Sequence, residues 1–536
     1  MRSFLVLALF VAAAAPAHAE TLQEAIAAAY ATNPDLASSR AGQRLSAEDA
    51  VLARNQLFPT IGANAVFDQQ TFNPGNFGDQ SRFFGSTVRL TQPVYRGGQT
   101  ISNIKATKKR LLSGREQLRA TENQLVFDTV QAYMNVLANQ SEVELNASNV
   151  RVLERQLQAS SDRFEVGDVT RTDVAQSEAR LALARSQLIA AEAALDAASY
   201  TFERIVGHVP QNLQPPPPTP PLPGTAQQAI DLALSESPAV ISARLGEQAS
   251  RFEVNAARGA RLPSADATFE VGYQNFRGLN NQIGGVVFTN IDFTQNIGAT
   301  VTIPIYQGGQ AGSQIRSAKA RADQSRMDLI GAERIAIEQV LTSYQNLIAA
   351  RATIDAAVAA VDANELALEG TRAEQTVGTR NILDVLNAEQ ELVNSQVQLV
   401  RAERDSYIAA FALLANIGRA EIERLNVPVM VYDNDTYLKR AKRHFIDWTA
   451  EFTPGPLTTQ STADVPEYTV PTPNRSYNIS AAEPAPVDAQ TDGAAVGVVE
   501  PNTEEVDRPT LDGEAADTPA TPDTYGTMPV DEEGEN

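Results

Sequence analysis

The chain is written twice. TLQEAIAAAYATNPDLASSR, from Thr21, returns as TAQQAIDLALSESPAVISAR from Thr225, and the halves align without a gap at an offset of 204 as far as Pro59 and Pro263. Beyond the loop that follows, the offset becomes 211. It holds from PVYRGGQ (Pro93–Gln99) and PIYQGGQ (Pro304–Gln310), through VGDVTRTDVAQSEA (Val166–Ala179) and VGTRNILDVLNAEQ (Val377–Gln390), up to Gly207 and Gly418. One seven-residue difference, confined to one loop, separates the halves, which is the mark of an internal repeat. The repeats are placed at 20–224 and 225–430.

Each half has the same internal order. An Ala-rich amphipathic helix is capped at its start by Thr21 or Thr225 and interrupted near Pro34 or Pro238. Strict alternation follows: Ile61, Ala63, Ala65 and Phe67, then Phe84, Val88 and Leu90, with Thr, Gly, Asn and Arg between them. The second half repeats it at Ala265, Ala267, Phe269, Val271 and Tyr273, then at Ile297, Ala299, Val301, Ile303 and Ile305. Period two means strands with one apolar face, expected as β-hairpins over 59–95 and 263–306. Their length suits a tilted barrel strand of ~9 to 11 residues, with lipid outside and a wet lumen inside. A half-buried hairpin in a soluble sandwich also explains the alternation, but not what comes next.

Gly97-Gly98 and Gly308-Gly309 break the strands, and helical periodicity begins, over 98–208 and 308–424. No proline occurs from Val94 to Val209 or from Ile305 to Val427. Val126, Val130, Tyr133 and Leu137 form one apolar stripe. Leu181, Ala184, Leu188, Ala191, Leu195 and Ala198 keep coiled-coil spacing, as do Leu392, Ser395, Leu399, Ala402, Ser406 and Ala409. A helix from Gln99 to Phe164 is ~100 Å long at ~1.5 Å per residue, so these segments build a tube or rod.

Residues 1–19 read as a signal peptide: Arg2, an apolar run too short to span a bilayer, then Ala17-His18-Ala19 as a cleavage site. The chain has no cysteine, hence no disulfide, thiolate metal site or acylation site. No later segment is apolar for the ~18 residues of a membrane helix. An exported chain of this kind is periplasmic, secreted or a barrel. The formal charge of -22 is concentrated at one end, where Phe452–Asn536 carries 17 Asp plus Glu against two Arg, a net -15. The acidic Pro/Thr-rich tail, 464–536, is expected to be disordered. Between it and the second repeat lies an equatorial or peripheral extension, 431–463, with a basic aromatic patch around Tyr432 and Trp448.

Four strands per chain cannot close a barrel, and an open edge cannot face hydrocarbon. Two chains give eight strands and a filled interior; three give twelve and a passage. The duplicated hairpin-and-helix order, the twice-written P-[VI]-Y-x-G-G-Q and VGTRNILDVLNAEQEL (Val377–Leu392) resemble the TolC family of outer-membrane efflux channels over roughly residues 20 to 430. The resemblance implies a mixed α and β fold: a trimeric 12-stranded transmembrane β-barrel continued by a long periplasmic α-helical coiled-coil tunnel. It implies the exit duct of a tripartite export system, for small-molecule efflux or type I protein secretion. The implied partners are a homotrimer, a periplasmic adaptor (membrane fusion) protein, an inner-membrane RND or ABC transporter and outer-membrane lipid.

By the same resemblance the inner end of the tunnel is closed at rest and opens by an iris-like movement of helices. Arg380 and Asp384 match the family's gate positions; Asn387 stands where the family has a second aspartate, and Gln375 where it has a tyrosine. Thr172 and Asp173 match the partner positions in the first repeat. Three copies of Asp384 around one axis repel one another and attract cations, and Arg380 offsets that cost. The same residues also read as turn and N-cap chemistry, since VGTR and VGDVTRTD both precede helices.

No catalytic constellation, cofactor site, metal site or nucleic-acid surface is expected. His208 and His444 are far apart and outside any ligand spacing, and RGGQ and QGGQ lack the Lys and Ser/Thr of a phosphate loop. Two other readings remain: a non-conducting coiled-coil stalk, structural or adhesive, and a soluble periplasmic adaptor.

Overall fold

The computed structural model describes residues 19–70, 81–277, 282–283, 286–287 and 291–443, all within one compact unit. The signal peptide except its last residue, the acidic tail, His444, Trp448 and the extension beyond 443 lie outside the described residues.

The first repeat runs α1 (Leu22–Thr32), α2 (Pro34–Asn55), β1 (Thr60–Gln70), β2 (Ser81–Arg96), α3 (Gln99–Glu165) and α4 (Arg171–Val206). The second runs α5 (Ala226–Glu236), α6 (Pro238–Gly259), β3 (Ser264–Arg277), a small ribbon of β4 (Gln282–Ile283) and β5 (Val286–Val287), β6 (Ile291–Thr302), α7 (Gln310–Thr376) and α8 (Ile382–Asn416). A short α9 (Asn434–Ala441) follows. Thr21 and Glu24 close a capping box at the start of α1. Proline expels the residue before it from helical geometry, so α1 stops at Asn33, whose side chain then accepts from the Asp35 and Leu36 amides to start α2. Ser237, before Pro238, stands at the same break in the second half.

The four longer strands form one antiparallel sheet in the order β1-β2-β3-β6, with the two halves joined at β2–β3. The register puts like with like. Ile61, Leu90, Phe269 and Ile297 lie in one row, Ala63, Val88 and Val271 in the next. On the opposite face Gly62, Arg89, Glu270 and Asn296 share a row, and Asn64, Thr87, Gly272 and Thr294 another. The rows through Ile61 and Gly62 each keep one character across all four strands, while Gln295 of β6 ends the row of Ala63, Val88 and Val271 and Val66 stands on the polar face. β1 and β6 are edges with one neighbour apiece.

The alternation expected to run through Ile305 ends at Thr302. Thr302 already pairs with Ser264, the first residue of β3, so nothing remains for Ile303 to bond, and Ile305 is 95% exposed. β2 reaches the same Ser264 at Arg96 by an irregularity between Pro93 and Tyr95, which carries the strand past its proline.

α3 and α7 have 67 residues each, ~100 Å at ~1.5 Å per residue. Leu181, Ala184 and Ala191 are buried and Leu188, Leu195 and Ala198 half-buried, while most positions between them face outward. The largest core gathers Leu22, Ile26 and Tyr30 of α1 with Val126, Val130 and Tyr133 of α3, Phe202 of α4, and Phe411 and Leu413 of α8. Across it runs the proline-rich link between repeats. Polyproline-type backbone has no internal hydrogen bonds, and three tyrosines supply them. Tyr133, Tyr407 and Tyr344 donate to the carbonyls of Gln214, Pro217 and Gly224 at 2.7, 3.0 and 3.0 Å.

The second helical segment, expected to reach 424, ends at Asn416. Gly418 adopts φ 81, and the Gly418 and Arg419 amides donate to the carbonyls of Ala415 and Leu414, a terminating hydrogen-bond pattern that glycine permits.

Candidate functional site at the helix turns

Two equivalent turns connect α3 to α4 and α7 to α8. In each, a glycine with φ 79, Gly167 or Gly378, ends the long helix. The amides of Gly167 and Asp168 donate to Phe164 and Arg163, and those of Gly378 and Thr379 to Gln375 and Glu374. The next helix starts on Thr170 or Asn381, 211 positions apart.

Asp173 and Asp384 occupy the same place in this frame, yet differ in what they hold. The Asp173 carboxylate accepts from the Thr170 amide at 2.9 Å and its hydroxyl at 2.8 Å, completing a capping box. Thr172 is exposed in the same first turn. Asp384 follows an asparagine cap, whose side chain accepts from Leu383 instead, and its carboxylate lies 3.7 Å from Arg380. Arg380 donates to Glu374 at 2.8 Å. That hydrogen bond and the two acidic charges hold the Arg380 guanidinium above its ordinary pKa. The partners of Arg380 thus come from its own repeat, whereas Thr172 and Asp173 belong to the start of α4.

Asn387 is where the repeats meet. Arg180 of α4 donates to its Oδ1 at 2.5 Å. Beneath them Leu181 and Ala184 of α4, Val150 and Leu153 of α3, and Ile382 and Leu386 of α8 form a second buried apolar group. Arg372 donates to the buried Glu389 at 2.7 Å across the α7–α8 hairpin. Arg180, Glu374 and the Arg372–Glu389 pair were not singled out from the sequence. The last two flank the Gly378 turn, as hairpin partners do; Arg180 carries no local signal.

The Gly-Gly turns hold the sheet to the helices. Gly97, Gly98, Gly308 and Gly309 have φ of 60, 74, 57 and 81. A Cβ on Gly97 would lie 2.3 Å from the Gly259 carbonyl oxygen, so only glycine lets β2 turn against the end of α6.

Among the described residues no helix is long and apolar enough to cross a membrane, and no group of three or more His, Cys, Asp or Glu is placed to hold a metal ion.

Comparison with known proteins accounts for this arrangement. A family model described as outer membrane efflux protein matches residues 25–208 and 229–419. The two matches start 204 apart and end 211 apart, the offsets of the duplication itself. The outer membrane efflux protein BepC of Brucella suis is 33% identical over 433 residues, 79% of this chain and 91% of that protein. The alkaline protease secretion protein AprF of Pseudomonas aeruginosa is 30% identical over 64% of this chain and 72% of its own length. Among solved structures, CusC superposes with a TM-score of 0.66 at 17% identity, over 74% of this chain and 92% of CusC. The Campylobacter jejuni outer-membrane channel CmeC does so at 0.66 and 17%, over 79% and 89%. The fold is the mixed one of these channels, a barrel sheet continued by paired long helices, and the chain belongs to the outer membrane efflux protein family, as an export channel of the outer membrane.

Proposed function

We propose that three copies of the chain form one passive duct, with β6 of each copy pairing with β1 of the next to close a twelve-stranded barrel. The observation that carries this is the sheet. Its edges, β1 and β6, lack a second neighbour, and its apolar face leaves Ile61 71% and Ile297 82% exposed. Hydrocarbon accepts neither unpaired edges nor, on such a face, the polar rows behind it, so a closed ring is the membrane solution. The long helices continue the duct into the periplasm, where a helical adaptor packs into their grooves and an inner-membrane RND or ABC transporter supplies the energy. Substrates pass chemically unchanged. The names of BepC and AprF speak of efflux and of protease secretion, and the same duct serves either cargo. At rest the α7–α8 hairpins are held against the first repeat at Arg180–Asn387 and by the apolar group around Leu386, while Arg380 and Asp384 brace the turn of the hairpin itself; release lets them swing outward.

Reconstitution of detergent-extracted protein into planar bilayers tests the proposal. Trimers that unfold on heating and conduct ions support it; assemblies that insert but carry no current return the chain to the stalk reading.

A further inference from the structure

We infer that the barrel segment carries its own charge filter, two tiers of ion pairs on the polar face whose more exposed members, arginines, are opposite in sign to the acids at the helix turns. The inference rests on the barrel reading above. In the upper tier Nε and Nη2 of Arg89 both lie 2.6 Å from one oxygen of Glu270, Oε2. In the lower tier Nη2 of Arg96 donates to Asp266 at 3.0 Å. Both pairs bridge β2 and β3, so each joins one repeat to the other.

Arg96 reaches this face through the irregularity in β2. Asp266 pairs with Pro93 and Ala265 with Tyr95, so Val94 is the additional residue and side-chain alternation changes phase there. Without it Arg96 would share the apolar face with Leu90. Glu270 and Asp266 are four residues apart on one strand, ~13 Å at ~3.3 Å per residue. That exceeds the ~8 Å screening length at physiological salt, so a passing ion meets the tiers one after the other.

In both pairs the arginine is the more exposed member: 62% against 29% for Arg89 and Glu270, 46% against 28% for Arg96 and Asp266. The flank of Arg89 is open, because its row neighbour Gly62 has no atom within 4 Å of where a Cβ would stand. Glu270 engages two of the five N–H donors of the guanidinium, leaving a planar group presented to the lumen for carboxylate or phosphate oxygens. The acids cancel the long-range charge of each tier while the arginines remain the groups that solutes touch. The tiers therefore favour anionic groups on a substrate in the barrel, whereas Asp384 favours cations at the other end.

The test is the reversal potential of the full-length protein in planar bilayers under a potassium chloride gradient. Glu270→Gln leaves three unpaired Arg89 groups per duct and is expected to shift the chloride-to-potassium permeability ratio upward by about threefold or more. Arg89→Gln is expected to shift it downward, and Arg89→Lys to keep the wild-type value, which separates charge from packing. Arg96→Gln and Asp266→Asn repeat the pattern at the second tier. Conducting Glu270→Gln and Arg89→Gln ducts with the wild-type ratio, or an Arg89→Lys shift equal to that of Arg89→Gln, overturn the filter while leaving the duct intact. Wild-type protein that does not conduct overturns the duct and the filter together.

Discussion

Glu236 holds Arg419 with both carboxylate oxygens, at 2.7 and 2.9 Å, at the junction that the first repeat closes with uncharged side chains. There Thr32, 204 positions before Glu236, donates its hydroxyl to the Val206 carbonyl at 2.8 Å, with the Ala28 carbonyl at 2.9 Å, and Asn33 donates to the Ile205 carbonyl at 3.2 Å. The second repeat adds Arg424 at 3.1 Å from Glu236, and the junction also receives Arg119 from α3 of the first repeat, which donates to the Glu236 carbonyl at 3.0 Å and to Glu421 at 2.6 Å. Hydrogen bonding from Arg419 holds the Glu236 carboxyl below its ordinary range. A depressed folded value stabilises above the ordinary pKa and loses that stabilisation as pH falls through the depressed one. Arg419→Ala is expected to cost ~1 kcal/mol at neutral pH, as partly exposed charge-assisted pairs do. Thermal unfolding curves of variant and wild type should draw together as pH falls from the ordinary carboxylate range through the depressed value; a gap that stays constant over that whole interval would mean that Arg419 acts through packing.

Glu122 has the opposite sign. Burial pushes its carboxyl above its ordinary value, against the Tyr30 hydroxyl that donates to it at 3.1 Å and the charge of Arg40. Such a group favours the folded state when protonated, so its contribution is complete below the ordinary pKa and is lost as pH rises through the raised one. Glu122→Gln retains an acceptor for Tyr30 without a charge to desolvate. It is expected to raise the melting temperature at neutral pH and to flatten the stability profile above about pH 4.3. A wild-type profile that stays flat across that interval contradicts the assignment.

Gly97 and Gly98 are adjacent, both left-handed, and differ in their surroundings. Gly97 is pressed against the Gly259 carbonyl and the Leu262 Cβ, whereas a Cβ on Gly98 would meet nothing within 4 Å. Gly98→Asn keeps a residue that tolerates positive φ, for an expected loss of under ~1 kcal/mol. Gly97→Ala adds a backbone collision to the conformational cost, and assembled protein in membranes should fall severalfold. Equal yields of the two variants would show that backbone conformation alone decides the turn.

What was legible in the sequence is what repeats at short range. Period two at Ile61 to Phe67 and heptad spacing at Leu181 to Ala198 report one face of one element, and the helices and strands follow them. The end of β6 at Thr302 was not legible, because it depends on where β3 begins. Asp173 and Asp384 look interchangeable in aligned repeats, and the residues three and four positions earlier separate them: Thr170 engages the Asp173 carboxylate at 2.8 Å, while Asn381 leaves Asp384 to Arg380, which stands where the first repeat has Val169. Arg180 and Asn387 are 207 residues apart and meet only when α4 lies beside α8.

That contact makes the sharpest test of the helix turns. Arg180 donates a charged hydrogen bond to a neutral amide, so the tie between repeats there is directional but weakly dependent on charge. Asn387→Asp turns it into an ion pair; for exposed groups this adds ~0.5 kcal/mol per copy, and over three copies should lower resting conductance severalfold. Arg180→Ala should raise it by a comparable factor while the apolar group around Leu386 keeps the helices folded. Asp384→Ala differs from both, since it removes an acid that Arg380 approaches at 3.7 Å. It should raise resting conductance and also weaken cation preference, an effect that Arg180→Ala should not have. Single-channel recordings resolve the two readouts. Asp384→Ala with wild-type conductance and selectivity would remove that residue from the gate, and Arg180→Ala with wild-type conductance would show that the apolar contact alone keeps the hairpins in place.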